Sequence, residues 1–300
     1  MTVVDLINGN LSARISTKGG IVLGFWWQRD DVRVPLLREA PRDDAEALES
    51  GCYPLVPFGN RVKDNSFRFH GKDYWLQPNT DWDKHYLHGE GWQAVWSVEQ
   101  QDDATVELAF QHLKSDTTPY EYSARQRFSL RDGALELTLS VTNRGREALP
   151  FGLGWHPYFP MTPKTTLLAP ARKYWTEVDD WLPGEAIDIP TDVDFGVPRS
   201  LPHRWVNNGF EDWCGEAQIA WPERQAQLLL TAGPLFRHAF VFVSDTSFDP
   251  DFKRDYFCFE PMSHLADGHH MKALGDLVVL EAEETLTGSI RMKPSVWTDH

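Results

Sequence analysis

Alternation of apolar and polar residues with a period of two runs through most of this chain and constrains its fold more than any other feature. It is clear in Thr105–Phe110 and in Ala134–Val141, and Tyr120–Leu130 between them is typical of a strand that ends at the turn 131–133. Successive side chains of a strand point to opposite faces, so this pattern indicates half-buried strands rather than helices. Short turns between three consecutive strands predict an antiparallel meander.

Further runs of this kind and a shortage of helical signals extend the prediction to the whole chain. Strands are predicted, early and late in the sequence, at Leu11–Ile15, Ile21–Trp27, Ser66–Phe69, Asp73–Leu76, Gln225–Thr231, Ala239–Ser244, Tyr256–Phe259 and Thr285–Met292. Pro41–Ser50 opens with proline and predicts one short helix. Pro160–Pro202 contains seven prolines and is predicted to be a loop-rich surface excursion. We therefore expect an all-β fold, with residues 1–300 as a single domain of two large sheets packed face to face.

Charge and cysteine content exclude several functional classes. The formal net charge of −15 argues against a nucleic-acid or anionic-membrane partner, since both need a basic surface. The three cysteines are widely spaced without a Cys-x-x-Cys pair, so neither a disulfide framework nor a zinc ribbon is indicated. The N-terminal residues lack the basic and apolar regions of a signal peptide, and no apolar run could span a bilayer. A cytoplasmic protein is predicted.

The stretch Phe151–Phe159 holds one histidine under unusual local constraint. Pro157 restricts His156 to an extended conformation, and Gly152 and Gly154 allow close backbone approach. An imidazole held in this way suits proton transfer near neutral pH. The alternative is a buried histidine satisfied by a backbone carbonyl, and local sequence does not decide between the two.

An amide and a guanidinium lie side by side at the end of an irregular segment, residues 51–61, which carries two prolines and two glycines. Asn60 and Arg61 can donate several hydrogen bonds to a hydroxyl-rich ligand. The alternative is an arginine that bridges loop carbonyls and has only a structural role.

Two histidines occur three residues apart in the segment 81–92. His85 and His88 could suggest a metal site, but no His-Glu-x-x-His pattern or nearby cysteine supports one. We therefore predict no metal here.

A carboxylate ends the aromatic strand that begins at Tyr256. Glu260 is followed by Pro261 and is surrounded in sequence by aromatic rings, so desolvation should raise its pKa towards the range useful for a general base. The alternative is a salt bridge to an arginine such as Arg61.

Four short motifs occur in the order found in the aldose 1-epimerase (galactose mutarotase) family, which the chain resembles from about residue 11 to 290. They are Asn60-Arg61, Leu87-His88-Gly89, His156-Pro157-Tyr158-Phe159 and Phe259-Glu260-Pro261. The longer strings 54–61 and 260–264 resemble the bacterial branch. The resemblance implies a galactose mutarotase-like β-supersandwich of large antiparallel sheets with few short helices, an open cleft, and no cofactor.

The resemblance also implies the chemistry, which is the interconversion of the α and β anomers of a free monosaccharide. Glu260 would take the proton of the anomeric hydroxyl, and His156 would protonate the ring oxygen. His88 and Arg61 would hold and polarise the sugar, with Asn60 supporting the loop. We expect His156 and Glu260 to face one another across a cleft as wide as one pyranose ring, in a monomer or a homodimer.

One position departs from the family pattern. The family usually carries an aspartate in a segment resembling Leu-Asp-Asn-x-Phe, and Asn207 stands at that place in Val206–Phe210. Asparagine carries no charge. One hypothesis is therefore that the cleft is less acidic and accepts a sugar with an anionic substituent.

Two other functions stay open at this stage. The first is a non-catalytic sugar-binding or regulatory module that uses the same cleft. The second is a metal-dependent β-barrel enzyme that uses His88, His156, Glu260 or the pair His269-His270.

Overall fold

The structure is a computed structural model that describes residues 1–298, and antiparallel strands make up most of it. In the first half of the chain the strands are β1 (Val3–Asn8), β2 (Leu11–Ser16), β3 (Ile21–Arg29), β4 (Val32–Pro35), β5 (Cys52–Leu55), β6 (Arg61–Val62), β7 (Ser66–Phe69), β8 (Lys72–Trp75), β9 (Tyr86–Leu87), β10 (Ser97–Gln101), β11 (Thr105–His112), β12 (Tyr122–Arg131) and β13 (Ala134–Asn143). In the second half they are β14 (Leu149–Phe151), β15 (Gly154–Pro160), β16 (Thr166–Leu168), β17 (Lys173–Val178), β18 (Leu182–Ile187), β19 (Arg199–Ser200), β20 (Val206–Glu211), β21 (Glu216–Trp221), β22 (Ala226–Ala232), β23 (His238–Val243), β24 (Tyr256–Met262), β25 (Val278–Leu280) and β26 (Thr285–Val296).

Two large sheets contain most of these strands. The larger has 11 strands in the order β1-β2-β3-β5-β15-β24-β23-β20-β17-β18, with β4 paired to β3. The other has nine strands in the order β10-β11-β12-β13-β26-β22-β21-β16-β19. The remaining strands form the two-stranded pairs β14-β25, β6-β9 and β7-β8. The prediction of an all-β fold with large antiparallel sheets is confirmed.

The predicted meander is β11-β12-β13, and its register explains the alternation in the sequence. Val106 pairs with Phe128, and Phe128 pairs with Leu137, so buried side chains lie opposite one another on one face. The turn at Asp132 and Gly133 has positive φ values of 50° and 68°, as a two-residue hairpin requires. The meander can therefore be predicted from the sequence pattern alone.

The core lies between the two large sheets. Phe128 of the nine-stranded sheet packs edge-to-face on Trp155 of the 11-stranded sheet, with ring centroids 6.1 Å apart. Both side chains are completely buried, together with Trp96 and Trp221. Large rings thus fill the space between the sheets, and β15 brings Trp155 into the core while its alternate residues face the other way.

Helices contribute little to this fold. The helical segments of residues 1–298 are 3₁₀ turns of three to five residues, at Ala47–Glu49, Lys63–Asn65, Asp179–Trp181, Thr191–Val193, Pro222–Arg224, Gly268–His270 and Lys272–Asp276. Among these residues, no helix has the length and apolar character needed to cross a membrane.

The helix predicted at Pro41–Ser50 is wrong, because only Ala47–Glu49 forms a single 3₁₀ turn there. Ala45 and Ala47 are buried, but a spacing of two residues cannot form one face of a helix. The acidic side chains of this segment instead pair with Arg14, Lys18 and Arg42, and Lys18 Nζ lies 2.5 Å from Glu46 Oε1.

The surface excursion predicted at Pro160–Pro202 is also wrong in part. This segment supplies β16 and β19 to the nine-stranded sheet and β17 and β18 to the edge of the 11-stranded sheet. Six of the seven prolines fall between the strands or at the end of β15, and Pro183 lies within the edge strand β18, opposite Glu177. The segment thus brings β17 to the side of the cleft described below.

Candidate active site

The centre of the 11-stranded sheet places His156 and Glu260 on neighbouring strands. β15 pairs with β24 through Gly154 opposite Met262 and Tyr158 opposite Cys258, so His156 and Glu260 are level with each other. His156 Nε2 lies 3.3 Å from Glu260 Oε1. The expectation that they face one another across a cleft one ring wide is therefore wrong. They lie side by side on its floor.

His156 is packed on three sides and is almost fully buried. Its ring stacks on Tyr53 of β5 with centroids 4.4 Å apart and 19° between the planes, and His88 meets it edge-on at 5.5 Å. Within residues 1–298, no group bonds its Nδ1 atom. Burial lowers the pKa of His156 to about 3. Burial therefore disfavours the charged imidazolium form of this ring.

Glu260 is 2% exposed and has one carboxyl oxygen without a partner. Oε1 approaches His156, whereas Oε2 is buried and takes no hydrogen bond from residues 1–298. Burial raises the pKa of Glu260 well above its ordinary value, although the charge of Arg61 opposes the shift. The two groups are close enough to titrate as one pair. Burial favours the state in which this pair shares a single proton without charge separation.

Asn60 and His88 hold each other in place. The N–H of Asn60 donates to His88 Nδ1 at 2.9 Å, and the N–H of His88 donates to the Asn60 carbonyl at 3.0 Å. Both residues have left-handed backbones, with φ values of 59° and 61°. Burial lowers the pKa of His88 well below its ordinary value. Because Nδ1 is an acceptor, the proton of the neutral ring is on Nε2, and His88 is a hydrogen-bond donor.

Arg61 is paired with a carboxylate that the sequence did not reveal. Its Nε donates to Asp83 Oδ2 at 2.8 Å, with both side chains buried, and its guanidinium lies 5.1 Å from the ring of Trp181. Burial lowers the pKa of Arg61, and the charge of Asp83 opposes that shift. In residues 1–298, Arg61 pairs with Asp83 rather than with loop carbonyls, and the salt bridge to Arg61 given as the alternative for Glu260 does not form. A buried arginine needs a counter-charge, and no other feature of the sequence pointed to Asp83.

Asn207 meets a second carboxylate that the sequence did not single out. Its side-chain amide donates to Glu177 Oε2, and the same carboxylate accepts a bond from Trp205 Nε1 at 3.0 Å. The asparagine in place of the expected aspartate therefore does not make this part of the cleft less acidic, because a carboxylate lies directly beside it.

Three other histidines, His85, His264 and His269, bond to neighbouring groups outside this pair. His85 Nδ1 and His264 Nε2 accept backbone N–H bonds, from Asp64 at 3.1 Å and from Gly59 at 2.9 Å. His269 Nε2 lies 2.9 Å from the Tyr120 hydroxyl. In the described part of the chain, no three His, Cys, Asp or Glu side chains cluster in a way that could hold a metal ion.

A cavity of about 350 Å³ brings the predicted residues together. All six candidates line it, namely Asn60, Arg61, His88, His156, Asn207 and Glu260. Aromatic side chains form much of the remaining wall, including Trp82, Trp181, Trp205, Phe242 and Phe248. A mostly apolar cavity with a few convergent polar groups has the composition of a small-molecule site.

Known proteins resemble this chain over almost its whole length. The model of the aldose 1-epimerase family matches residues 2–293. The chain belongs to the aldose 1-epimerase family. Over 294 residues it is 43% identical to the uncharacterized protein YphB of Escherichia coli K12, a match that covers 98% of this chain and 99% of the relative. The resemblance noted from four short motifs is thereby confirmed.

Solved structures of family members have the same architecture. A crystal structure of a candidate aldose 1-epimerase from Escherichia coli K12 superposes with a TM-score of 0.93 at 42% identity, covering 98% of this chain and 99% of that one. A galactose mutarotase-like protein from Clostridium acetobutylicum gives a TM-score of 0.81 at 19% identity, with 99% of each chain covered. The second likeness shows the fold alone. This family member therefore has a galactose mutarotase-like fold with its cleft on the 11-stranded sheet.

Proposed function

We propose that this protein is an aldose 1-epimerase that interconverts the α and β anomers of a neutral aldose. Glu260 is the general base and His156 is the general acid. The observation that carries the proposal is the contact between His156 Nε2 and Glu260 Oε1, 3.3 Å apart on the floor of a cavity of suitable size. Binding alone would not require a buried acid and base in contact.

The side-by-side arrangement suits a hemiacetal carbon. O1 and O5 of a pyranose are both bonded to C1, so two adjacent protein groups can reach both oxygens from one side. Glu260 takes the proton of the O1 hydroxyl while His156 gives a proton to O5, the C1–O5 bond breaks, and C1 becomes an aldehyde. Rotation about C1–C2 and closure with the roles reversed yields the other anomer. Each well-placed acid or base contributes on the order of 10²–10⁴ in rate.

The number of protons carried by His156 and Glu260 together supports this cycle. Ring opening converts the ionic pair, carboxylate with imidazolium, into the neutral pair, and closure converts it back. Both forms carry one proton and no net charge, so no exchange with solvent is required during turnover. Burial favours the neutral form, and the charge of Arg61 lowers the pKa of Glu260 and so favours the ionic form.

The surrounding donors support the binding of a neutral sugar. His88 offers its Nε2–H, and Arg61 has guanidinium nitrogens beyond the one bound to Asp83. The charge of Arg61 is already balanced by Asp83, and Glu177 lies beside Asn207. These carboxylates disfavour an anionic substituent on the sugar, which makes a sugar phosphate, sulfonate or uronate the weaker hypothesis.

NMR exchange spectroscopy or polarimetry of freshly dissolved α-D-glucose and α-D-galactose tests the proposal. The wild-type protein should accelerate mutarotation, and Glu260→Gln and His156→Ala should each lower kcat by at least about 10². Glu216→Gln, an exposed change on β21 of the other sheet, is the matched control and should retain full activity. Sugar binding without acceleration would favour the non-catalytic module, and preference for an anionic sugar would favour the alternative substrate class.

A further inference from the structure

Glu177 holds two side chains of the cleft wall with one carboxylate. Trp205 Nε1 donates to its Oε1 at 3.0 Å and its Oε2 at 3.2 Å, and Asn207 Nδ2 donates to Oε2 as well. Glu177 lies on β17 and Asn207 on β20, two strands that pair through Tyr174 opposite Phe210. The carboxylate therefore reaches Asn207 from the neighbouring strand.

This contact fixes the direction of the Asn207 amide. A carboxylate can only accept hydrogen bonds, so the NH₂ group of Asn207 must face Glu177 and its carbonyl oxygen must face away. Asn207 lines the cavity, and no residue among 1–298 donates to its Oδ1. That oxygen is not among the buried atoms without a partner. It is therefore open to the cleft as a hydrogen-bond acceptor.

We propose that Glu177 is a positioning residue that orients Asn207 so that its carbonyl oxygen accepts a hydrogen bond from one sugar hydroxyl. This inference rests on the proposed function, because it assumes that a sugar occupies the cleft. An oriented asparagine then offers the same hydrogen-bond polarity that the aspartate usual in the family would offer.

The same contact gives a physical reason for asparagine at position 207. An aspartate there would put two carboxylates in direct contact on the cleft wall. Two such groups cannot both remain ionised without cost, and one would have to take up a proton. Asparagine removes the repulsion and keeps an acceptor towards the cleft. Residues 177 and 207 therefore form one unit, with the charge on β17 and the acceptor on β20.

Mutarotation kinetics of three variants test this unit. Glu177→Gln leaves the shape but releases the fixed orientation, because a glutamine amide can either donate or accept. KM should rise about tenfold with kcat little changed, the loss expected for one hydrogen bond. Asn207→Asp alone should be impaired by like charge. The double variant Glu177→Gln/Asn207→Asp should recover to within about threefold of wild type, since the glutamine can donate to the new carboxylate.

Monodeoxy sugars provide a measurement that a purely structural role would not alter. In wild type, one deoxy analogue should lose about tenfold in kcat/KM because its hydroxyl partner is missing. In Glu177→Gln the loss in kcat/KM for this analogue should shrink towards onefold. The losses for the other deoxy analogues should stay as they are in wild type. Glu185→Gln, an exposed change on the adjacent strand β18, is the matched control and should leave the penalty intact. Circular dichroism and thermal unfolding confirm that each variant is folded.

Two results would overturn the inference. One is an unchanged set of deoxy-sugar penalties in Glu177→Gln, and the other is a double variant no better than the poorer single variant. Failure of the proposed function gives a different result, because the wild-type protein would then accelerate mutarotation of no sugar. In that case, the same comparison is made with dissociation constants of the deoxy analogues measured by saturation-transfer NMR, and it decides the role of Glu177 by itself.

Discussion

Arg61 and Asp83 form a buried ion pair at the wall of the cleft, with Nε and Oδ2 2.8 Å apart and the two side chains 9% and 1% exposed. Removal of one partner leaves an uncompensated buried charge. We expect Asp83→Asn to lower the free energy of unfolding by about 3–5 kcal/mol, as measured by urea denaturation. Asp116→Asn, at an exposed loop position, is the control and should change it by less than about 0.5 kcal/mol. A loss below about 1 kcal/mol for Asp83→Asn would contradict the buried pair.

The pH dependence of mutarotation should reflect the shared proton of His156 and Glu260. Activity should rise as pH passes the lowered pKa of His156, about 3, and fall only as pH passes the raised pKa of Glu260. Between these limits the pair keeps one proton, so kcat should stay flat over a wider pH range than ordinary pKa values would allow. An independent pair with ordinary pKa values of 4.5 and 6.5 would give a narrow optimum between them. A narrow bell in the kcat profile, corrected for the spontaneous reaction, would exclude the shared-proton description.

Glu260 should destabilise the folded protein at high pH. Its pKa is higher in the folded than in the unfolded chain, so its contribution is most favourable below about pH 4.5 and is lost as pH rises towards the raised value. Glu260→Gln should therefore unfold at nearly the wild-type temperature at pH 4. At pH 8 it should be more stable than the wild-type protein, because the wild-type carboxyl is then held away from its preferred ionised form. The difference is measured by thermal denaturation, and Glu216→Gln should show no such growth with pH.

Gly89 should tolerate no side chain because it follows His88 in a tight turn. Its φ is +68°, and a Cβ atom there would lie 2.3 Å from both Pro57 Cδ and the Val56 carbonyl oxygen. Gly133 has the same φ of +68° but open space around it. Gly133→Ala should cost about 1–2 kcal/mol from backbone strain alone. Gly89→Ala should cost clearly more and should lower mutarotation as well, because the turn that carries His88 must move. Equal costs for the two variants would refute the steric argument.

Much of the fold could be predicted because local sequence patterns determine it. The meander β11-β12-β13 follows from period-two alternation and from the turn at Asp132 and Gly133. The segment Pro160–Pro202 was misinterpreted because β16 to β19 are short, interrupted by proline, and stabilised by strands distant in sequence. Short strands of this kind have little alternation of their own to detect.

The candidate site was predicted unevenly for the same reason. The family resemblance located six of the side chains that line the cavity, but it gave no information on which carboxylates pair with them. Asp83 and Glu177 are two of 44 acidic residues, and nothing in their local sequence separates them from the exposed ones. Their contacts with Arg61 and Asn207 distinguish them.

The sequence by itself determined that this chain forms antiparallel sheets and that it carries the residues of the aldose 1-epimerase family, since alternation and short motifs are local properties. Only the tertiary structure decided that His156 and Glu260 lie side by side rather than across a cleft. Their strands are about a hundred residues apart in the chain, and their pairing register depends on long-range packing of the whole sheet. The same packing excludes water from the pair, and this desolvation is what shifts both pKa values.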